Sequence, residues 1–151
     1  MNEFKSIDDA LDFAIQSEQG AVDFYTNLAA GSKNQAMREV FIQFAKEEMG
    51  HKKRLQNIKR EETFEFSDEK VFDLQIGDYL IDVEPTNDMT YQEALILAMK
   101  REKSAFKLYS DLAGIAPNND LRKTFLALAQ EEAKHKLRFE IEYDDIILKE
   151  N

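Results

Sequence analysis

Apolar residues recur every three or four positions along most of the chain, the spacing that gives one face of an α-helix. The pattern predicts four helices, which begin after Ser6, near Gln35, after Thr90 and near Asn119, the last ending in the mid-140s. Ser6-x-x-Asp9 resembles a helix-capping box, and Thr90-x-x-Glu93 is one outright. Only 5 glycines and 2 prolines interrupt the chain, so long helices are expected.

The chain contains an internal repeat. Ser6–Leu55 aligns with Thr90–Phe139 without a gap, and SEQGAVDFYTNLA of the first copy falls on REKSAFKLYSDLA of the second. The period is too long for a solenoid, and two copies of a helical hairpin explain it better.

The predicted fold class is therefore all-α, an antiparallel four-helix bundle in a single domain that spans residues 1–151. Its parts are a first hairpin at about 6–60, a crossover at about 61–89 and a second hairpin at about 90–148. The crossover is too long for a tight turn, and in a bundle it lets the third helix start at the same end as the first. Apolar residues within Asp68–Leu80 predict a short helix, packed on the bundle or on a second subunit.

Aromatic residues of the crossover leave the oligomeric state open. They are Phe64, Phe66, Phe72 and Tyr79. These side chains are predicted either to cover a homodimer interface or to close one end of a monomer.

Charge and composition narrow the function. The net charge of -10 argues against a nucleic-acid or anionic-membrane partner, because both require a basic surface. The sequence has no cysteine, which excludes disulfides, thiol catalysis and cysteine-based zinc or rubredoxin-type iron sites. No signal peptide and no apolar run of membrane-spanning length is visible, so a cytoplasmic protein is expected.

The 2 histidines carry the clearest chemical signal. Glu48-x-x-His51 and Glu132-x-x-His135 occupy matching positions in the repeat, and residues three apart on a helix face the same way. A single such pair is more often solvated surface. Here both histidines of the chain lie in such pairs, on stretches rich in apolar neighbours.

Glu18 and Glu102 are the matching acids on the first and third helices, and apolar residues surround each of them at helical spacing. Buried ionised carboxylates are very costly unless compensated. Two divalent cations would cancel the charge of four carboxylates, and two neutral imidazoles would complete the ligand set. Glu, Glu-x-x-His, Glu and Glu-x-x-His on four helices is the pattern of di-iron and di-manganese bundles. Iron or manganese suits these ligands, and zinc is an expected substitute.

Other polar residues near the predicted ligands have two readings. Glu47 and Glu131 point about 100° away from the ligand face, so surface charge is the better interpretation. Tyr25 and Tyr109 share the ligand face, two turns from Glu18 and Glu102. They are either core aromatics or donors of a hydrogen bond to a ligand carboxylate of the other half.

At these residues the sequence resembles the rubrerythrin branch of the ferritin-like superfamily. SEQGAVDFYTNLA, KEEMGH, REKSAFKLYSDLA and QEEAKH are similar to its E-x6-Y and E-E-x-x-H signatures. The resemblance implies a ferritin-like bundle whose iron ligands are Glu18, Glu48, His51, Glu102, Glu132 and His135. It also implies that Glu48 and Glu132 bridge the two ions.

Two departures from that family matter. This sequence contains none of the four cysteines of the family's rubredoxin-like domain, so an external electron donor, such as a separate rubredoxin, is expected. The extra glutamate one turn after the third-helix glutamate is replaced by Ala105. The resemblance therefore implies a more symmetric site, with His51 a more permanent ligand.

The leading functional hypothesis is a di-iron oxidoreductase that reduces hydrogen peroxide or dioxygen, with a role in oxidative stress. The alternative is a non-enzymatic iron-binding or iron-handling protein, in which oxidation serves sequestration. A purely structural bundle ranks last, because all six ligand positions are intact.

Overall fold

The protein forms α-helical hairpins. The computed structural model describes residues 4, 6–61, 74, 78–81, 85 and 89–150. Within that part of the chain it has four helices, α1 (Ile7–Gly31), α2 (Gln35–Glu61), α3 (Tyr91–Ile115) and α4 (Asn119–Glu150). They fall into two compact units, hairpin 1 with α1 and α2 and hairpin 2 with α3 and α4. That residues 1–151 form a single domain stays a prediction.

The predicted caps at the starts of α1 and α3 are confirmed. The hydroxyl oxygen of Ser6 accepts a hydrogen bond from the N–H of Asp9 at 3.2 Å. At α3 the capping box is complete: Thr90 Oγ1 accepts from the N–H of Glu93, and the Glu93 carboxylate accepts from the N–H of Thr90, each at 3.1 Å. Each cap satisfies backbone donors that a helix N-terminus otherwise leaves without an intrahelical partner.

Two asparagines cap the other helices, and the sequence pattern did not identify them. Asn34 Oδ1 accepts a hydrogen bond from the N–H of Met37 at 3.1 Å, just before α2. Asn118 Oδ1 accepts one from the N–H of Leu121 at 2.8 Å, just before α4. These are equivalent positions of the repeat, so each hairpin turn ends in the same way.

The last helix is longer than predicted. It was expected to end in the mid-140s, and α4 continues to Glu150. The sequence after Phe139 contains no glycine or proline, so nothing in it stops the helix. No helix in the described part of the chain combines the length and apolar character that crossing a bilayer requires.

The core of hairpin 1 lies where α1 and α2 face each other. Its buried apolar side chains include Leu11, Ala14, Ala21, Phe24, Tyr25, Met37, Phe41 and Leu55. The rings of Tyr25 and Phe44 meet edge to face, with centroids 6.2 Å apart. Burying a Leu or Phe side chain stabilises a fold by about 1.5–3 kcal/mol, so these residues hold the hairpin closed.

Hairpin 2 has an equivalent core between α3 and α4. Its buried apolar side chains include Leu95, Leu97, Leu108, Tyr109, Leu112, Leu121, Phe125, Leu128 and Phe139. At one end of the hairpin the Tyr91 hydroxyl donates a hydrogen bond to the Glu142 carboxylate at 3.1 Å. This bond joins the start of α3 to the last turns of α4.

Most of the crossover lies outside the described residues, and with it most of the predicted short helix at Asp68–Leu80 and the side chains of Phe64, Phe66 and Phe72. Tyr79 is described and is buried. Its hydroxyl donates to Asp111 at 2.7 Å, and the Ser104 hydroxyl donates to its carbonyl oxygen at 2.6 Å. Tyr79 therefore packs on hairpin 2 of its own chain.

Candidate metal centre

Hairpin 1 brings together the three residues that its sequence predicted as ligands. Glu18 lies on α1, and Glu48 and His51 lie one turn apart on α2, with exposed fractions of 2%, 1% and 2%. Each of the three offers one ligand atom within 4.8 Å of those of the other two. His51 Nδ1 lies 2.8 Å from Glu18 Oε2 and 3.1 Å from Glu48 Oε1.

Hairpin 2 repeats the arrangement with Glu102 on α3 and Glu132 and His135 on α4. Their exposed fractions are 1%, 1% and 2%. One ligand atom from each again lies within 4.8 Å of the other two. His135 Nδ1 lies 3.5 Å from Glu102 Oε2, a wider separation than that of the equivalent pair in hairpin 1.

The prediction that these acids lie on the buried stripe is confirmed, and its cause is the position of each acid in the helical pattern. Leu11 and Ala14 precede Glu18 by two turns and one turn, and all three are buried on the same face of α1. Phe41 and Ala45 precede Glu48 in the same way on α2. Packing of the apolar neighbours therefore draws the carboxylates into the interior of the hairpin.

The buried acids of hairpin 1 strongly favour positive charge at His51. Burial alone lowers the pKa of an imidazole. The Glu18 and Glu48 carboxylates, whose oxygens lie 2.8 and 3.1 Å from Nδ1, outweigh that effect and raise the pKa of His51 to about 10. Without metal, the imidazole is thus held as a cation between two carboxylates.

The donor set of each hairpin fits a divalent ion such as iron or manganese. Two ligand atoms bound at right angles, each about 2.1 Å from one ion, lie about 3.0 Å apart. The separations of 2.8 and 3.1 Å around His51 match that value, and 3.5 Å at His135 matches a wider angle. Carboxylate oxygens with imidazole nitrogen are typical ligands of iron and manganese in proteins.

The neighbouring acids are placed differently. Glu47 and Glu131 are only partly exposed, and neither belongs to the close groups of carboxylate and imidazole atoms found among the described residues. Their chain neighbours Glu48 and Glu132 are fully buried. Adjacent acids on the helix therefore differ in burial: the first of each pair is partly exposed, and the second is buried, as the apolar pattern indicated.

The two predicted tyrosines are buried in their own hairpins, Tyr25 beside Phe24 and Phe44 and Tyr109 on α3. This placement agrees with the reading as core aromatics. The hydrogen bond to a carboxylate of the other half stays a prediction.

Comparison with known proteins identifies the family. The profile of the rubrerythrin family matches residues 9–78 and 93–151, which is most of the chain. The chain belongs to the rubrerythrin family. No curated protein sequence matches it significantly.

A solved structure resembles this rubrerythrin-family chain over almost its whole length. It is the crystal structure of a Thermotoga maritima protein that carries the provisional name of a ferritin-like diiron-carboxylate protein. The similarity has a TM-score of 0.77 at 22% sequence identity and covers 95% of this chain and 98% of the other. The predicted fold class, an all-α ferritin-like four-helix bundle, is confirmed by this likeness.

Proposed function

We propose that this rubrerythrin-family chain is a di-iron carboxylate oxidoreductase that reduces hydrogen peroxide or dioxygen. The observation that carries the proposal is the pair of buried Glu/Glu-x-x-His groups, one in each hairpin, with all six residues in place. The name of the Thermotoga maritima protein, which shares the fold, supports iron as the metal.

In this proposal each hairpin supplies one carboxylate from its first helix and a carboxylate with an imidazole from its second. The residues that would hold the metal are Glu18, Glu48 and His51 in hairpin 1 and Glu102, Glu132 and His135 in hairpin 2. Two divalent ions balance four carboxylates, which removes the large cost of burying those charges. A manganese pair would satisfy the same ligands, and zinc would substitute without redox activity.

The chain supplies position and environment for the reaction. When bound, two ferrous ions supply two electrons that, with two protons, convert one hydrogen peroxide to two waters. Burial of the six side chains keeps bulk water away from the reacting atoms, and long helices hold the ligands in fixed positions. A reductant must restore the ferrous state, and the six proposed ligand residues do not supply it; in this proposal an electron donor such as a rubredoxin has that role.

Anaerobic ferrous loading followed by mixing with hydrogen peroxide tests this function. Metal analysis should give about two irons per chain, and stopped-flow absorbance should show oxidation far faster than that of free ferrous ion. Oxidation no faster than that of free iron would remove the enzymatic proposal while leaving iron binding intact.

Matched variants separate ligands from neighbouring acids. Glu48→Gln and Glu132→Gln should each reduce iron loading and peroxide-driven oxidation. Glu47→Gln and Glu131→Gln change the acid next to each of them, outside the close ligand groups, and should leave loading unchanged. Equal effects of all four substitutions would mean that general negative charge, and not this geometry, binds the metal.

Iron handling is the second candidate, and the acidic character of the protein favours it. The chain has 30 acidic and 20 basic residues, so its surface concentrates cations. Storage predicts loading well beyond two irons per chain or transfer of iron to a partner. Loading that stops at two, with repeated turnover by an added reductant, supports the oxidoreductase instead.

A further inference from the structure

Hairpin 1 carries an apolar groove that the proposed metal chemistry does not use. The groove has a volume of about 540 Å³ and lies between α1 and α2. Its walls include Val22, Thr26, Ile42 and Met49, and Ile42 and Thr26 are exposed to solvent. Small-molecule sites typically enclose about 300–1,000 Å³, so the groove is large enough for a ligand.

The lining residues of the groove extend along α2. One end lies at Arg38, close to the turn of the hairpin, and the other at Met49. These residues are eleven positions apart on α2, which at about 1.5 Å per residue corresponds to roughly 16 Å. An apolar wall of this length accommodates an extended alkyl chain of about ten carbons.

Positive charge borders the groove although the protein is acidic. The charged residues that line it are Arg38 and Lys46, and no acid is among its lining residues. The chain as a whole carries a net charge of -10. A ligand with a negative head group is therefore attracted at the groove, while most of the surface would repel it.

Arg38 is held in place at its end of the groove. Its Nη2 donates to the carbonyl oxygen of Ser32 at 2.6 Å, which fixes the guanidinium beside the turn. The positive charge therefore stays where an anionic head group would bind it with a charge-assisted contact.

The repeat supports the view that the groove is particular to hairpin 1. The position of Val22 is occupied in hairpin 2 by the much larger Phe106, and that of Lys46 by the neutral Gln130. Phe106 is 42% exposed. The small wall residue and the second cation are thus features of one copy only.

We propose that this groove binds a single-chain anionic amphiphile, with the alkyl chain along Val22, Ile42 and Met49 and the anionic head at Arg38. Lys46 adds electrostatic attraction from the exposed edge. A carboxylate and a phosphate monoester share this head-group chemistry. The site lies outside the six proposed metal ligands, so binding does not require metal.

Isothermal titration of the full chain with decanoate, decyl phosphate and 1-decanol tests the proposal. Wild-type protein should bind about one decanoate or one decyl phosphate per chain, and 1-decanol about tenfold more weakly or worse. The tighter of the two anions identifies the head group. Metal-free and metal-loaded protein should give the same result.

Variants drawn from the repeat locate the site. Val22→Phe installs the residue of hairpin 2 and should weaken decanoate binding by about tenfold or more by filling the groove. Lys46→Gln should weaken it by about two- to fivefold, the range of a solvent-exposed charge pair. Thr26→Asp puts a like charge on an exposed wall residue and should weaken binding even if Val22→Phe does not fold. Phe106→Val, in hairpin 2, is the matched control and should change nothing.

Three results would overturn the proposal. One is undiminished binding to both Val22→Phe and Thr26→Asp, which places the ligand elsewhere. Another is equal affinity for decanoate and 1-decanol, which removes the role of Arg38 and Lys46. The third is a wild-type dimer in sedimentation that Val22→Phe dissociates, which makes a second copy of the chain the occupant.

Discussion

The two hairpins carry the same proposed ligand residues in different settings. In hairpin 1, His51 Nδ1 lies 2.8 Å from Glu18 and 3.1 Å from Glu48, whereas in hairpin 2 His135 Nδ1 lies 3.5 Å from Glu102. Hairpin 1 has an apolar groove beside Val22, where hairpin 2 has the exposed ring of Phe106.

The comparison separates what the motif determines from what its neighbours determine. Glu-x-x-His fixes which atoms can meet, because residues three apart share a helix face. The distances between those atoms and the shape of the nearby surface depend on residues outside the motif, which differ between the copies. Repeat symmetry in sequence therefore does not give identical sites.

The largest expected effect comes from removing one proposed ligand in either hairpin. Glu18→Ala and Glu102→Ala should each weaken metal binding by about a hundredfold or more, since loss of even an outer-shell partner costs about 10–100-fold. Metal analysis after dialysis against buffered ferrous ion measures this loss of affinity. A much smaller loss in Glu102→Ala than in Glu18→Ala would break the equivalence of the halves.

Metal should also stabilise the fold. Manganese at about 100 times its dissociation constant should add about 2.7 kcal/mol to the free energy of unfolding. In a chain of this size that raises the melting temperature by roughly 5–10 °C. Thermal unfolding followed by circular dichroism, with and without manganese, measures this shift in the wild type, His51→Gln and His135→Gln. An unchanged shift in either variant would exclude that histidine as a ligand.

Removing a helix cap should lower the free energy of unfolding by an amount that differs between the two hairpins and is smaller than the effect of metal. The double substitution Thr90→Ala with Glu93→Ala removes both hydrogen bonds of the capping box, whereas Ser6→Ala removes a single hydrogen bond to the N–H of Asp9. Each should lower the free energy of unfolding by about 0.5–2 kcal/mol, with the double substitution the more costly. Urea unfolding measures both, and an equal or reversed order would show that the bond from the Thr90 N–H to the Glu93 carboxylate contributes nothing.

The smallest expected effect is a pH dependence confined to hairpin 2. Burial, and then the charge and hydrogen bond of Glu142, raise the pKa of Tyr91 above its ordinary value. A group with a raised folded-state pKa stabilises fully below its unfolded pKa of about 10, and that stability is lost as pH rises through the folded value.

Tyr91→Phe tests the direction of this pH dependence of stability. The substitution should cost about 0.5–1.5 kcal/mol near neutral pH, and its cost should shrink above about pH 10. Tyr91→Ile, which installs the residue that Ile7 provides in hairpin 1, should behave in the same way. Urea unfolding at about pH 8 and about pH 11 makes the measurement, and a cost that grows with pH would contradict it.

Much of the fold follows from the sequence because its signals are local. The capping residues Ser6 and Thr90 and the spacing of apolar positions give the helix starts. The acids on the apolar stripe, such as Glu18 and Glu48, follow from the same spacing. The family resemblance added the ferritin-like class, which the structural likeness confirms.

Features that depend on packing between helices were not predictable. The groove lined by Arg38 and Lys46 exists only because α1 and α2 approach each other in a particular way. The contacts of Tyr79 with Asp111 and Ser104 join residues far apart in the chain, so no spacing rule reveals them. The predicted end of α4 was wrong because no glycine or proline near the end of this helix provides a local stop signal.

The buried carboxylates have a consequence for the life of the protein in a cell. A chain that hides acids such as Glu48 and Glu132 is less stable when no cation reaches them. Proteases degrade proteins through their transiently unfolded forms, so a difference of 1–2 kcal/mol changes abundance by about several-fold. The proposed metal centre therefore predicts that metal supply raises the amount of this protein by slowing its degradation.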